Sequence, residues 1–313
     1  MDEPVLAIED LHKRYGDVVA LDGISLTVGQ GELIGLLGPN GAGKTTMVSI
    51  ICGLRHADRG RVEVCGVDAL ANPQAARRHI GLAPQELGVY PIDSVRQNLS
   101  LFGQLCGVRG GDLRKQITTV AEALRLTDLM DRKAGELSGG QKRRLHTAIA
   151  LLGEPSLILL DEATTGADVE SRAALIDVVK GLAERGSSVV YSTHYLGEVE
   201  DLGAQVVIVD HGKVIAEGSV SELLASNGGS IVELIFDGPP PVFAGPRATS
   251  HESTVRVSVD DPARSLGPIF SELGSDASRL QSVEIINSSL ETVFLQLTGR
   301  RYQPGEELDV TTP

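Results

Sequence analysis

The chain has 313 residues, enough for one large domain and a smaller one, and 42% of them are apolar. A net charge of −14, aromatics at 3% and no Trp oppose a phosphate backbone and leave few stacking platforms, which argues against nucleic acid as the main partner. Cys52, Cys65 and Cys106 lack C-x-x-C spacing, Met1-Asp2-Glu3-Pro4 is acidic where a signal peptide is basic, and no run approaches the roughly eighteen apolar residues of a membrane span, so reduced thiols in a cytosolic chain that does not itself cross a membrane are expected.

Val5 to Leu11 alternates like a strand, and Val18 to Val28, broken by Asp22-Gly23, reads as two strands with a turn between them. Glu32 to Leu37 is an apolar run of strand length, and Met47 to Gly53 reads as a helix closed by glycine. Between them lies Gly38-Pro39-Asn40-Gly41-Ala42-Gly43-Lys44-Thr45-Thr46, a G-x-x-x-x-G-K-[ST] loop in the strand, loop, helix order that the motif requires. Its glycines let backbone N–H groups turn inward on a phosphate, and the helix start adds its positive dipole end. Lys44 is suited to the β- and γ-phosphates, and the Thr45 hydroxyl to Mg²⁺.

Arg61 to Gly66 is a short strand, Pro73 to His79 a short helix, and Ile80 to Pro84 a strand ended by Pro84-Gln85. From Val95 to Leu126 apolar residues recur at helical spacing, and the Gly107 to Gly111 break divides two helices. Leu137-Ser138-Gly139-Gly140-Gln141 precedes a helical stretch to Leu152. Leu157 to Leu160 is a strand apolar on both faces, as a parallel sheet requires. It ends in Asp161-Glu162: Asp161 is suited to hold Mg²⁺ and Glu162 to polarise an attacking water. Helices follow at Val169 to Glu184 and Leu196 to Leu202, and strands at Ser188 to Ser192 and Val206 to Val209. Strands alternating with helices around a P-loop predict an α/β core, a P-loop NTPase with a mainly parallel sheet.

Composition then shifts: Asn227-Gly228-Gly229 reads as a linker, and no lysine follows Lys213. Strands at Ile231 to Phe236, Thr254 to Val259 and Gln281 to Ile286, with helices at Pro262 to Leu273 and Ser289 to Leu297, predict a small C-terminal α+β domain. The expected organisation is residues 1–227, 228–301, and a frayed acidic tail over 302–313.

With the P-loop upstream and the acidic pair downstream, Leu137 to Gln141 makes the chain resemble the ATP-binding cassette (ABC) family of ATPases, over about residues 5 to 225. The resemblance implies an antiparallel β subdomain and a helical subdomain beside the core, and ATP and Mg²⁺ as ligands. It also implies a head-to-tail pair of cassettes in which Ser138, Gly139, Gly140 and Gln141 of one copy close over the γ-phosphate bound by the P-loop of the other. It assigns Tyr15 to stacking on adenine, Gln85 to Mg²⁺ and the attacking water, Asp168 to the opposite cassette, and His194 to the γ-phosphate and the catalytic water. Ala163, Ala167 and Val169 depart from the family's usual residues and bear on the dimer contact rather than on nucleotide binding. His12, His56, His79, His146, His211 and His251 have no comparable context and receive no role.

Glu86 to Arg109 corresponds to the family surface that receives a helix of the transmembrane subunit, and Ser289 to Arg300 resembles the ending of daunorubicin-resistance-type exporter subunits. The implied function is the ATP-hydrolysing subunit of an exporter for drugs, antibiotics or lipid-like molecules. It would sit at the cytoplasmic face of the cell membrane, bound to a separately encoded permease. An importer subunit, or less favourably a soluble cassette protein, remains the alternative.

Overall fold

The structure is a computed structural model and describes residues 3–166, 169–227, 229–241, 243 and 248–302. In chain order its strands and helices are β1 (Leu6–Tyr15), β2 (Val18–Val28), β3 (Leu33–Leu37), α1 (Lys44–Ile51), β4 (Arg59–Val64), β5 (Val67–Asp68), α2 (Pro73–Ala76), β6 (Ile80–Ala83), α3 (Val95–Leu105), α4 (Gly110–Ala123) and α5 (Gly139–Ala150). There follow β7 (Leu157–Asp161), α6 (Val169–Glu184), β8 (Ser188–Thr193), α7 (Leu196–Leu202), β9 (Gln205–Asp210), β10 (Lys213–Ser219), α8 (Val220–Asn227), β11 (Ser230–Phe236), β12 (Ala248–His251), β13 (Thr254–Val259), α9 (Pro262–Leu273), β14 (Leu280–Ile286) and α10 (Leu290–Thr298).

These elements form two compact units, Met1–Glu217 and Gly218–Gln303, apart from the last residues of the chain. In the first, a six-stranded sheet has the order β10-β9-β3-β8-β7-β6, and the β9-β3, β3-β8, β8-β7 and β7-β6 pairs are parallel. Its middle strands are apolar on both faces, and every residue of β7 is buried. In a parallel sheet the loops that leave the strands' C-terminal ends share one edge, so the turns after β3, β8, β7 and β6 are neighbours although they lie far apart in sequence. A second, antiparallel sheet has the order β2-β1-β4-β5. Its inward residues, including Leu6, Ile8, Leu26 and Val62, pack with α1 and the strands of the parallel sheet in one core. Helices α3 to α6 gather around Leu99, Ile117, Leu145 and Ile176 in another.

Three expectations are corrected. Val18 to Val28 is one strand, not two: Gly23 sits at positive φ and the register with β1 slips between His12↔Asp22 and Leu11↔Ile24, so the glycine makes a bulge inside the strand rather than a turn. The second unit begins at Gly218, earlier than the Asn227-Gly228-Gly229 signal, because α8 precedes that signal and packs on α10. Tyr302 is not frayed: it is 6% exposed, with its ring edge-on to Phe294 at 4.9 Å. Strands β5, β10 and β12 and helix α8 have sequences too short or too mixed to be read in advance.

The second unit has an antiparallel sheet in the order β12-β13-β11-β14. Val232 and Leu234 of β11, Val255 of β13, and Ile269 and Leu273 of α9 form its core. Glu233, on the other face of β11, is buried between Arg256 and Arg301.

Candidate functional site

The P-loop joins β3 to α1 against close walls. A Cβ on Gly38 would lie 2.3 Å from the Val209 carbonyl oxygen, and one on Gly43 would lie 2.4 Å from that of Ala20. Gly43 also holds φ at 108°, so backbone approaches here that no side chain permits. Helix α1 has no side-chain N-cap, in contrast to α3 and α5, whose starts carry reciprocal capping boxes. Leading amide groups left without a side-chain cap suit an anion. Lys44 is buried and donates to the carbonyl oxygens of Gly38 at 2.6 Å and Pro39 at 3.1 Å. Burial lowers its pKa, and the carboxylates of Glu162 and Asp161 work against that shift. Pro39 and Ala42 are buried, Asn40, Gly43 and Thr46 half-buried, and Gly41 and Thr45 exposed.

Asp161 ends β7, with Ser192 of β8 opposite it in register. Burial raises the Asp161 pKa, the Ser192 and Thr45 hydroxyls pull against burial, and Oδ1 remains buried without a hydrogen-bond partner. An orphaned carboxylate oxygen beside the Thr45 hydroxyl fits a hard divalent cation such as Mg²⁺, which takes oxygen ligands.

Glu162 leaves the strand at φ 50°, an uncommon conformation for a non-glycine residue, while its N–H still donates to the Ser192 carbonyl at 2.9 Å. Its carboxylate gathers partners from separate turns. Gln85, after β6, donates from Nε2 to Oε2 at 3.0 Å, and Thr165 Oγ1 donates to the same oxygen at 3.3 Å. His194, after β8, places Nδ1 2.9 Å from Oε1. A carboxylate only accepts, so Nδ1 carries the proton of that bond. Burial opposes the Glu162 charge, but the hydrogen bond and field of His194, with Lys44, outweigh it and hold the pKa below the ordinary carboxylate value. Glu162 is therefore ionised at neutral pH, able to orient and polarise a water.

Lys44, Asp161, Glu162, Gln85 and His194 thus meet at one edge of the sheet. Tyr15 is 38% exposed, with the Lys13 and Arg55 cations over its ring at 5.3 and 5.4 Å from the centroid. Ser138 to Gln141 do not join the cluster by hydrogen bonds. Ser138 and Gly139 are exposed at the start of α5, Gly140 is buried, and Ser138 and Gln141 hydrogen-bond each other at 3.3 and 3.0 Å. Asp168 lies outside the described residues.

Two contributors carried no sequence signal. His146, 4% exposed on α5, accepts from the Gly88 N–H at 3.3 Å, tying the helix that begins at Ser138 to the segment after Gln85. Burial, helped by Arg143, pulls its pKa down to about 4, so the ring is neutral and can accept. Arg143 donates to the Thr165 carbonyl at 3.3 Å, behind Glu162.

Comparison with known proteins identifies the family. The ABC transporter family model matches residues 21–165. The chain is 36% identical to daunorubicin resistance ATP-binding protein DrrA2 of Streptomyces coeruleorubidus, covering 98% of both chains. It is 36% identical to linearmycin resistance ATP-binding protein LnrL of Bacillus subtilis, covering 95% of this chain and 99% of that one. It is 37% identical to Nod factor export ATP-binding protein I of Burkholderia thailandensis, covering 94% and 97%. Among solved structures it is similar to the dimeric post-hydrolysis state of the ATP-binding cassette MJ0796 bound to ADP and Pi, at 26% identity and TM-score 0.62, covering 68% of this chain and 98% of that one.

Proposed function

The chain belongs to the ATP-binding cassette family of ATPases, and on that premise we propose that it is the ATP-hydrolysing subunit of an exporter that expels drugs, antibiotics or lipid-like molecules through a separate permease. The observation that carries hydrolysis is the ionised Glu162 held by Gln85, Thr165 and His194 beside Lys44 and Asp161. Relatives named for resistance and export, matched over nearly their whole length, favour export over import.

In this reading the P-loop amides and Lys44 hold the phosphates, and Tyr15 receives the adenine. Thr45, Asp161 and Gln85 would hold Mg²⁺, which when bound neutralises charge on the β- and γ-phosphates. Glu162 orients the attacking water and draws on its proton, while His194 and Gln85 fix the carboxylate's direction. Closure needs a second copy: Ser138 and Gly139 are exposed and hydrogen-bond locally, so they are available to the γ-phosphate in the partner's P-loop, with Asp168 at the same contact. Such closure is a population shift driven by contacts that ATP makes only in the closed pair.

No helix among the described residues is long and apolar enough to cross a membrane. In the proposed reading the chain acts through its permease, at the cytoplasmic face of the membrane. The exposed Leu87, Tyr90 and Ile92, in the segment after Gln85, are the surface we assign to it.

The test is Glu162→Gln in the complex purified from membranes. ATP binding is retained, turnover falls by about a thousandfold, and an ATP-trapped cassette dimer accumulates on size-exclusion chromatography. Normal turnover sinks the assignment of Glu162. Co-purification of a six-helix permease supports export, whereas capture of importer components removes that part of the proposal.

A further inference from the structure

Beneath the hydrolytic residues lies a second polar cluster that the reaction as described does not use. Glu198, on the first turn of α7, is 3% exposed, yet neither the nucleotide nor the metal needs it. Its Oε1 accepts from Thr164 Oγ1 at 2.5 Å, and its Oε2 from Thr193 Oγ1 at 2.7 Å and from the Tyr191 hydroxyl at 3.0 Å. The Arg172 guanidinium of α6 stands 3.2 Å from Oε1 as countercharge. The cluster therefore draws on the turn after Glu162, the end of β8, α6 and α7.

Burying a carboxylate is costly unless it is paired and hydrogen-bonded, and an apolar residue on this helix face would avoid that cost. What the charge obtains is geometry. Thr164 is next but one to Glu162, and Thr193 immediately precedes His194. With its proton committed to Glu198, the Thr193 oxygen accepts the Tyr195 N–H at 3.0 Å, so one hydroxyl pins the backbone on both sides of His194. A second route runs through rings: Arg172 sits 4.8 Å from the centroid of Tyr195, whose ring packs on that of His194 at 4.2 Å. Carboxylate acceptors orient hydroxyl donors in one sense only, so exchanging the carboxylate for an amide reverses part of the network without changing its volume.

We propose that Glu198 is a positioning residue for ATP hydrolysis, acting through Thr193 and Thr164 to hold His194 and Glu162 in their mutual hydrogen bond. The proposal rests on the reading of Glu162 and His194 as the hydrolytic pair. It extends that reading to a residue that contacts neither substrate nor metal.

Steady-state ATP hydrolysis by the full-length chain in its membrane complex tests it. Glu198→Gln lowers kcat by about tenfold to a hundredfold with KM for Mg·ATP within about twofold, because a displaced catalytic pair affects the transition state and not the phosphate cradle. Thr193→Val reproduces the loss, and Thr193→Ser, which keeps the hydroxyl, returns to within about threefold of the unaltered chain. A folded Glu198→Gln with undiminished kcat overturns the proposal, as does a Thr193→Ser as defective as Thr193→Val. Should Glu198→Gln not fold, the two Thr193 variants decide alone. Failure of the hydrolytic reading itself shows separately, as normal turnover in Glu162→Gln.

Discussion

Two buried carboxylates, one in each compact unit, are handled in opposite ways. Glu233 of the C-terminal unit is clamped: Arg256 Nε donates to Oε2 at 2.8 Å, Arg301 donates to Oε1, and the same arginines reach on to the Gly299 carbonyl and to Glu284. Asp161 of the cassette is equally buried but keeps an oxygen with no partner, opposed by burial and helped only by hydroxyls and a Lys44 engaged with the P-loop carbonyls. A carboxylate satisfied by fixed cations serves the fold. One left with a lone pair that no donor engages is held ready for a ligand, and the fold carries that cost.

The sharpest way to break this contrast is to neutralise each acid without changing its size. Asp161→Asn should lower turnover by roughly a thousandfold and shift the Mg²⁺ requirement upward, since a neutral amide is a poor ligand for a hard cation. Because burial disfavours the Asp161 charge, the same change should leave the nucleotide-free melting temperature unchanged or raised, measured by calorimetry. A lowered melting temperature would show Asp161 to be structural.

Acid titration separates the two units next. The depressed His146 pKa, about 4 against 6.5 when unfolded, means that its contribution is complete above pH 6.5 and is lost as pH falls toward 4, about 3 kcal/mol in all. Glu233 also has a lowered pKa, because Arg256 and Arg301 outweigh the burial that opposes its charge. Its contribution persists above about pH 4.5 and is lost only below it. The cassette should therefore weaken first on acidification, followed by circular dichroism, and His146→Leu should flatten that limb. An acid limb of the cassette that persists unchanged in His146→Leu would remove the distinction.

The smallest effect is expected from Glu233→Gln, which strands two guanidiniums that keep some water contact. It should lower the stability of the C-terminal unit by about 2 kcal/mol, less than the 3–5 of a fully buried pair, with the cassette's ATP hydrolysis unchanged. A change in turnover would mean that the clamp acts beyond its own unit.

Much of this protein was legible in its residues. The strand, P-loop and helix order, the apolar run ending in Asp161-Glu162, and the Ser138 to Gln141 cap before α5 depend on neighbours within a few positions, where backbone sterics and helix caps act. Helices α6, α7 and α9 fell at their expected bounds for the same reason. Gly23 misled because a glycine at positive φ serves a turn and a bulge alike, and only the partner strand distinguishes them. Tyr302 read as tail because its partner, Phe294, belongs to a helix whose packing the sequence does not display.

The sequence by itself determined which chemistry the chain carries, since the side chains for phosphate, cation and water are each announced by local motifs. Tertiary structure alone decided how they cooperate. The parallel order β3-β8-β7-β6 brings Lys44, His194, Glu162 and Gln85 to one edge, leaves Asp161 Oδ1 unpaired and the His146 ring neutral, and sets Glu198 beneath them. Burial and hydrogen-bond satisfaction belong to the whole fold, so an acid on a helix reads the same in sequence whether it faces solvent or, like Glu198, three hydroxyls and a guanidinium.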